Sequence, residues 1–185
     1  DSRDGQSYKT IQVGFSTQTW MAENLKYKTN NSWCYDNDPS NCEIYGRLYT
    51  WEAARTACPP GWHLPSEEEW KAFIDVPIIG DGVMGIGGRL KSTGTIEDGT
   101  GLWRSPNFGA TNEVGFSALP GGYRLGNSQY FGFELQGEEG RWWTSTSPTL
   151  GGAWTLCLYY YASGAEMINY SGADDELGYS VRCMK

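Results

Sequence analysis

Sulfur is the first chemistry this sequence offers: five cysteines, Cys34, Cys42, Cys58, Cys157 and Cys183, against a single histidine, His63. No two of the cysteines stand in a C-x-x-C pair, and one imidazole gives little help toward a zinc ligand set. Disulfides are the better use of these thiols, and they imply an oxidising, extracytoplasmic compartment. The expected pairing is Cys34–Cys42 as a local clip and Cys58–Cys183 as a long staple, with Cys157 left as a free thiol. The alternative is five reduced thiols in a cytosolic core.

Hard oxygen donors come next. Asp36, Asp38, Ser40, Asn41 and Glu43 crowd one short stretch, chemistry that suits calcium. The EF-hand spacing fails, because Asn41 stands where glycine is needed and Arg47 where the closing glutamate is needed. An Asx-turn clipped by Cys34–Cys42 explains the same residues. Asp36, Asp38 and Glu43 are the candidate calcium ligands, and no cofactor is required. Asp174-Asp175-Glu176 reads as a solvated acidic turn.

Two catalytic patterns are present in part. Residues 80–85 spell G-x-G-x-x-G, which binds a dinucleotide only between a strand and a helix. Pro77 spoils the first and Gly87-Gly88 the second. Gly115-Phe116-Ser117-Ala118-Leu119 half-matches the nucleophile elbow, with Leu119 where the sharp turn needs glycine. A serine triad would also have to recruit His63, which reads as a hydrogen-bonded structural residue.

Aromatic side chains are the strongest binding signal, with nine Trp and twelve Tyr. Sugars present apolar C–H faces to such rings, and tyrosine adds a hydroxyl at little entropic cost. The candidate ligand-binding residues are Trp103, Tyr123, Arg124, Tyr130, Tyr159, Tyr161 and Tyr170, in the irregular middle and the late strands. Trp20, Trp51, Trp62, Trp70 and Trp154 are assigned to the core.

Local patterns say which elements must position these groups. Residues 1–6 read as a frayed linker remnant, and 8–13 and 18–21 as two short strands joined by a turn at 14–17. Residues 30–41 have loop composition. A first helix is expected over about 46–57, with Leu48, Trp51, Ala54 and Cys58 on one face, ended by Pro59-Pro60. A second is expected over 67 to about 75, started by a capping box in which Ser66 and Glu69 bond reciprocally. Residues 79–140 look irregular and glycine-rich. Strands are expected at 142–146, 153–161, 166–170 and through Tyr179, Val181 and Cys183.

The chain has 185 residues, one domain's worth, and a net charge of −8. That charge argues against nucleic acid, whose phosphates need a basic stripe. No window approaches the roughly 18 apolar residues of a membrane span. Residue 1 is Asp, so an export signal has been removed or the domain was cut from a longer chain.

Seven collinear segments carry a resemblance: Q-T-W-M-A-E-N-L (18–25), C-Y-D-N-D-P-S-N-C (34–42), Y-G-R-L-Y-T-W-E-A-A (45–54), C-P-P-G-W-H-L-P (58–65), N-E-V-G-F-S-A-L-P-G-G-Y-R (112–124), W-W-T-S-T (142–146) and G-Y-S-V-R-C (178–183). Together they resemble the Fibrobacter succinogenes major paralogous domain over nearly the whole chain, and more broadly the C-type lectin-like fold. The resemblance implies a bacterial, exported or surface-attached α+β domain, with two helices, short antiparallel sheets and a long irregular loop region. It implies no settled enzymatic activity. Sugar-binding C-type lectins usually hold calcium with Glu-Pro-Asn or Gln-Pro-Asp and a Trp-Asn-Asp. The nearest matches here, Ser105-Pro106-Asn107 and Trp143-Thr144-Ser145, lack the carboxylate.

The expected function is therefore a non-catalytic recognition or adhesion domain that binds carbohydrate or a protein surface ligand through aromatic-rich loops. One alternative is a structural module of a larger surface protein. Another is an enzyme related to the formylglycine-generating oxidases, whose reactive cysteine pair would compete with the Cys58–Cys183 staple; a carboxylate-driven glycoside hydrolase is a further enzymatic option.

Overall fold

A computed structural model describes residues 1–12, 18–74, 85–127, 130–148, 152–170 and 177–185. The expected turn at 14–17, residues 80–84 of the glycine motif and the acidic triplet 174–176 lie outside them.

The architecture is α+β. Two strand pairs open the chain: β1 (Thr10–Ile11) with β2 (Trp20–Met21), and β3 (Ser32–Trp33) with β4 (Leu48–Tyr49), both antiparallel. Helix α1 (Pro39–Tyr45) lies between β3 and β4, where loop composition predicts no helix. Its start is nonetheless well specified: Asp38 accepts from the Ser40 amide at 2.9 Å and Pro39 takes the first turn. Gly46 closes it at φ 78°, a left-handed position where a Cβ would stand 2.6 Å from that of Asn24.

Helix α2 (Trp51–Ala57) is shorter than the 46–57 expected. Leu48 and Tyr49 are strand, and Thr50 caps the helix by accepting from the Ala53 amide at 3.2 Å. Helix α3 (Glu67–Ile74) carries the capping box in full: the Ser66 amide donates to Glu69 at 2.7 Å, and the Glu69 amide donates to the Ser66 hydroxyl at 3.1 Å. A fourth helix, α4 (Ile86–Leu90), falls inside the stretch expected to be irregular. Gly87 and Gly88 permit it, since a Cβ on Gly87 would meet the Gly164 carbonyl oxygen at 1.9 Å.

The same stretch also supplies β5 (Gly121–Asn127) and β6 (Tyr130–Gln136), and at its end β7 (Glu139–Trp143) begins three residues before the strand expected at 142–146. With β8 (Ala153–Tyr159) and β9 (Glu166–Tyr170) they form a sheet of order β6-β5-β7-β8-β9. All neighbours are antiparallel except β5 and β7, which run parallel through Gly122 and Gly140.

Alternation along β7 divides the core in two. Trp142 joins Trp20, Trp70, Phe73, Trp103 and Phe116 on one side; Trp143 joins Tyr49, Ala54, Leu64, Tyr179 and Val181 on the other. Residues 178–184 thread between them. Tyr179 exchanges backbone bonds with Tyr49, Met21 donates to the Cys183 carbonyl, and Met184 exchanges bonds with His63. Both disulfides are formed, Cys34–Cys42 and Cys58–Cys183, and Cys157 is free and buried. Arg3 of the opening segment reaches the body, donating to the Ala57 carbonyl at 2.8 Å with its guanidinium 3.7 Å from the centre of the Tyr27 ring.

Candidate functional site

Four large apolar side chains stand exposed among the described residues: Ile44, Ile96, Phe108 and Tyr161. Two of them, Phe108 and Tyr161, lie on segments that one buried group holds together. Lys91, which follows α4, is fully buried, and its ammonium donates to the carbonyls of Phe108 (3.0 Å), Tyr159 (2.9 Å) and Ala162 (2.9 Å). All three hydrogens are used, so the charge is satisfied by carbonyl dipoles. Burial still pushes the ammonium down to about 8. The Phe108 amide donates to the Tyr160 carbonyl at 2.7 Å, so the loop ending at Phe108 and the end of β8 are tied from below and from the side.

The loop passes a cis Ser105–Pro106 bond and then Asn107, whose φ is 44°. The Asn107 side chain points inward, donating to the carbonyls of Ser92 and Gly94 at 3.0 and 2.9 Å. Strand β8 ends at Tyr159, two residues short of the 153–161 expected; in the turn beyond it Tyr161 stacks on Tyr159, centroids 5.3 Å apart and planes 23° apart, and meets Tyr160 edge-on at 5.3 Å. Arg104 pairs with Glu138 nearby, and Glu138 accepts from the Tyr160 amide through its carbonyl. The result is two exposed aromatic rings, Phe108 and Tyr161, on segments tied to one another through the backbone, with a charged margin.

The other sequence candidates lie elsewhere. Trp103 is fully buried, its indole nitrogen donating to the Ala118 carbonyl at 3.0 Å, which takes it out of any open face. Tyr123 and Tyr170 are half-buried around Arg141. That guanidinium sits 4.4 Å from the centre of the Tyr123 ring, donates to the Tyr170 hydroxyl, and is ion-paired with Glu139 at 2.6 Å. Tyr123 also donates to Glu134 at 3.1 Å, and burial raises its hydroxyl to about 12. Arg124 lies 3.9 Å from the centre of the Trp33 ring. Tyr130 is on β6, with its side chain outside the described part. Phe108 was not a sequence candidate. A lone aromatic between Asn107 and Gly109, both at positive φ, was the available signal.

The acidic stretch does not assemble into a cation site. Asp38 caps α1, and the bond from Ser40 holds its carboxyl below the usual range. Glu43 reaches toward Lys26 at 3.8 Å, while Asp36 sits exposed in the turn before α1. No group of three or more His, Cys, Asp or Glu side chains among the described residues could hold a metal ion. Among the described residues, then, Asp36, Asp38 and Glu43 do not come together as the calcium ligand set the sequence suggests. His63 bonds through Nε2 to Glu69 at 3.0 Å. Burial raises the Glu69 carboxyl, but bonds from Ser66 and His63 outweigh it and hold the group low. Cys157 lies beside Arg141 on paired strands, and burial pushes its thiol up, away from a reactive thiolate. No described helix is long and apolar enough to cross a membrane.

These features define a disulfide-stapled α+β domain whose open chemistry is aromatic. Residues 13–185 match the family described as the Fibrobacter succinogenes major domain, and the chain belongs to that family. No curated protein and no solved structure matches it.

Proposed function

We propose that this is an extracytoplasmic, non-catalytic recognition domain of C-type lectin-like fold that binds carbohydrate through the Phe108–Tyr161 face. One observation carries the reading: two exposed aromatic side chains sit on separate segments gripped by a single buried ammonium. Pre-ordering of that kind spares a weak ligand the cost of fixing two loops. The two disulfides agree with an oxidising compartment. Cys183 is engaged with Cys58 and Cys157 is buried, so neither supplies the reactive pair a formylglycine-generating oxidase needs.

The test is retention on a panel of soluble glycans and insoluble polysaccharides, with and without chelator. Phe108→Ala and Tyr161→Ala should each weaken retention at least about fivefold, since truncating a stacked ring removes a kcal/mol or more. Melting should stay near wild type for Phe108→Ala and fall by roughly 2–4 °C for Tyr161→Ala, which also loses its contacts with Tyr159 and Tyr160. Absence of retention on every glycan, or full retention by both variants, refutes the proposal.

A further inference from the structure

A second cleft, of 190 Å³, opens among the segments that carry the family resemblance. Its mouth is set by Lys9, Glu23, Lys26 and Glu43, and its inner wall by Asn24 and Ser117. Asn24 belongs to the 18–25 motif and Ser117 to the 112–124 motif. Both touch Arg182 of the 178–183 motif, which lies fully buried behind that wall. The Arg182 Nε donates to Asn24 Oδ1 at 2.6 Å, and Nη2 donates to the Ser117 carbonyl at 3.0 Å. Nη1 donates to the carbonyls of Met21 and Phe116. All of these partners are uncharged.

The wall is also rigid and strained. Asn24 spends its whole amide on Trp142, Arg182, Tyr45 and Ser180. Ser117 is held at φ 54°, a conformation costly for a residue with a Cβ, by reciprocal bonds with Asn112 at 2.8 and 2.9 Å. Such a wall does not yield to a ligand. It presents a fixed shape.

The charges select the ligand. Lys9 and Lys26 balance Glu23 and Glu43 along the lining, and the buried Arg182 behind the wall adds a third cation with no carboxylate bonded to it, in a chain whose net charge is −8. Lys26 donates to the Glu43 carbonyl at 2.6 Å and stands 3.8 Å from the Glu43 carboxylate, too long for a hydrogen bond, which holds its ammonium at the mouth with hydrogens to spare. An anion entering here meets two ammoniums and the field of a buried guanidinium. The two carboxylates are acceptors suited to hydroxyl groups. Ile44, exposed on the rim, offers an apolar surface. The volume is below that of a drug-sized pocket and suits a single ring.

We infer that this cleft is a subsite for a carboxylate-bearing sugar, a hexuronate unit of a glycan, with Lys26 and Lys9 facing its carboxylate and Glu23 and Glu43 accepting from its hydroxyls. The inference rests on the carbohydrate reading above and names the sugar class.

The test is titration of the isotope-labelled domain with glucuronate and, separately, with glucose, followed by backbone amide shifts. Saturable shifts at Glu23, Asn24, Ile44 and Ser117 with glucuronate, and none there with glucose, are expected. Lys26→Gln should weaken glucuronate binding about tenfold, the value of one charge-assisted bond; Lys9→Gln, on an exposed side chain, is the second variant and should weaken it less. Shifts that are absent, non-saturating, located elsewhere or equal for glucose overturn the inference, as does unchanged affinity in both variants. Phe108→Ala and Tyr161→Ala separate the two readings: glucuronate binding that survives them while polysaccharide retention also survives removes the aromatic face and leaves the cleft.

Discussion

Replacing Lys91 by methionine tests the frame beneath the aromatic face. The substitution keeps most of the buried stem and removes the ammonium, which lies 5.3 Å from the centre of the Trp103 ring. The carbonyls of Phe108, Tyr159 and Ala162 then lose a donor together. An orphaned buried acceptor costs about 1–3 kcal/mol, and part of that is offset because a desolvated charge disappears as well. The expected net loss is about 3 kcal/mol, a melting point lower by roughly 6–12 °C in a domain of this size. The pH dependence has a definite sign. Burial holds the folded ammonium near about 8, whereas an unfolded lysine keeps its proton to about 10.4. Between these values the unfolded chain binds more protons, so wild-type stability gains about 1.4 kcal/mol per pH unit from this group. Cys157 and the buried tyrosines titrate in both proteins and cancel in the difference. Urea unfolding followed by tryptophan fluorescence, from pH 7 to pH 10 without reductant, should show the methionine variant's deficit widening above pH 8. A deficit that narrows there, or one below about 1 kcal/mol at pH 7, refutes the role given to Lys91.

Removing the long staple with Cys58→Ala and Cys183→Ala together should cost about 5 kcal/mol, from closure of a loop spanning 125 residues; urea midpoints of the two proteins measure it, and a loss under 1 kcal/mol counts against the staple. Ser66→Ala strips the cap from the Glu69 amide and should cost about 1 kcal/mol, read as a melting point lower by roughly 2–4 °C. Thiol titration without reductant should find no reactive sulfhydryl in the native domain and one after unfolding, that of Cys157. Gly87→Ala should destabilise by about 1–3 kcal/mol or more, because its Cβ would collide with the Gly164 carbonyl; an unchanged melting point would mean that α4 does not pack there.

What the sequence made legible were features with local causes. The capping box at Ser66 and Glu69, the bounds of β9 and the shared face of Tyr159 and Tyr161 each depend on residues a few positions apart. Helix α1 was hidden because Asn, Asp and Ser dominate its surroundings, although Asp38-Pro39 is a start signal in its own right. Leu48 was drawn into the helical pattern because its spacing to Trp51 and Ala54 fits a helix, and only the strand partner Trp33 decides otherwise. Strand β5 is rich in glycine and polar side chains, whereas β6 is rich in aromatic ones, and their pairing with each other has no strong signature in either segment. In the candidate site, Tyr161 is one of seven residues the sequence offers for binding, and no local signal there distinguishes the open rings from the buried ones. Lys91 was not legible, because nothing nearby in sequence shows that its three acceptors come from positions 108, 159 and 162.

The threading of residues 178–184 through the middle of the domain has a consequence for synthesis. Both halves of the core wait for Tyr179, Val181 and Met184, and the Cys58 sulfur waits for a partner 125 positions downstream. At ordinary elongation speeds that is a delay of about 6–25 s during which the Cys58 thiol is open to wrong partners. Cys34 and Cys42, eight apart, can close long before then, which leaves one fewer pair of sulfurs for Cys58 to mistake for its own.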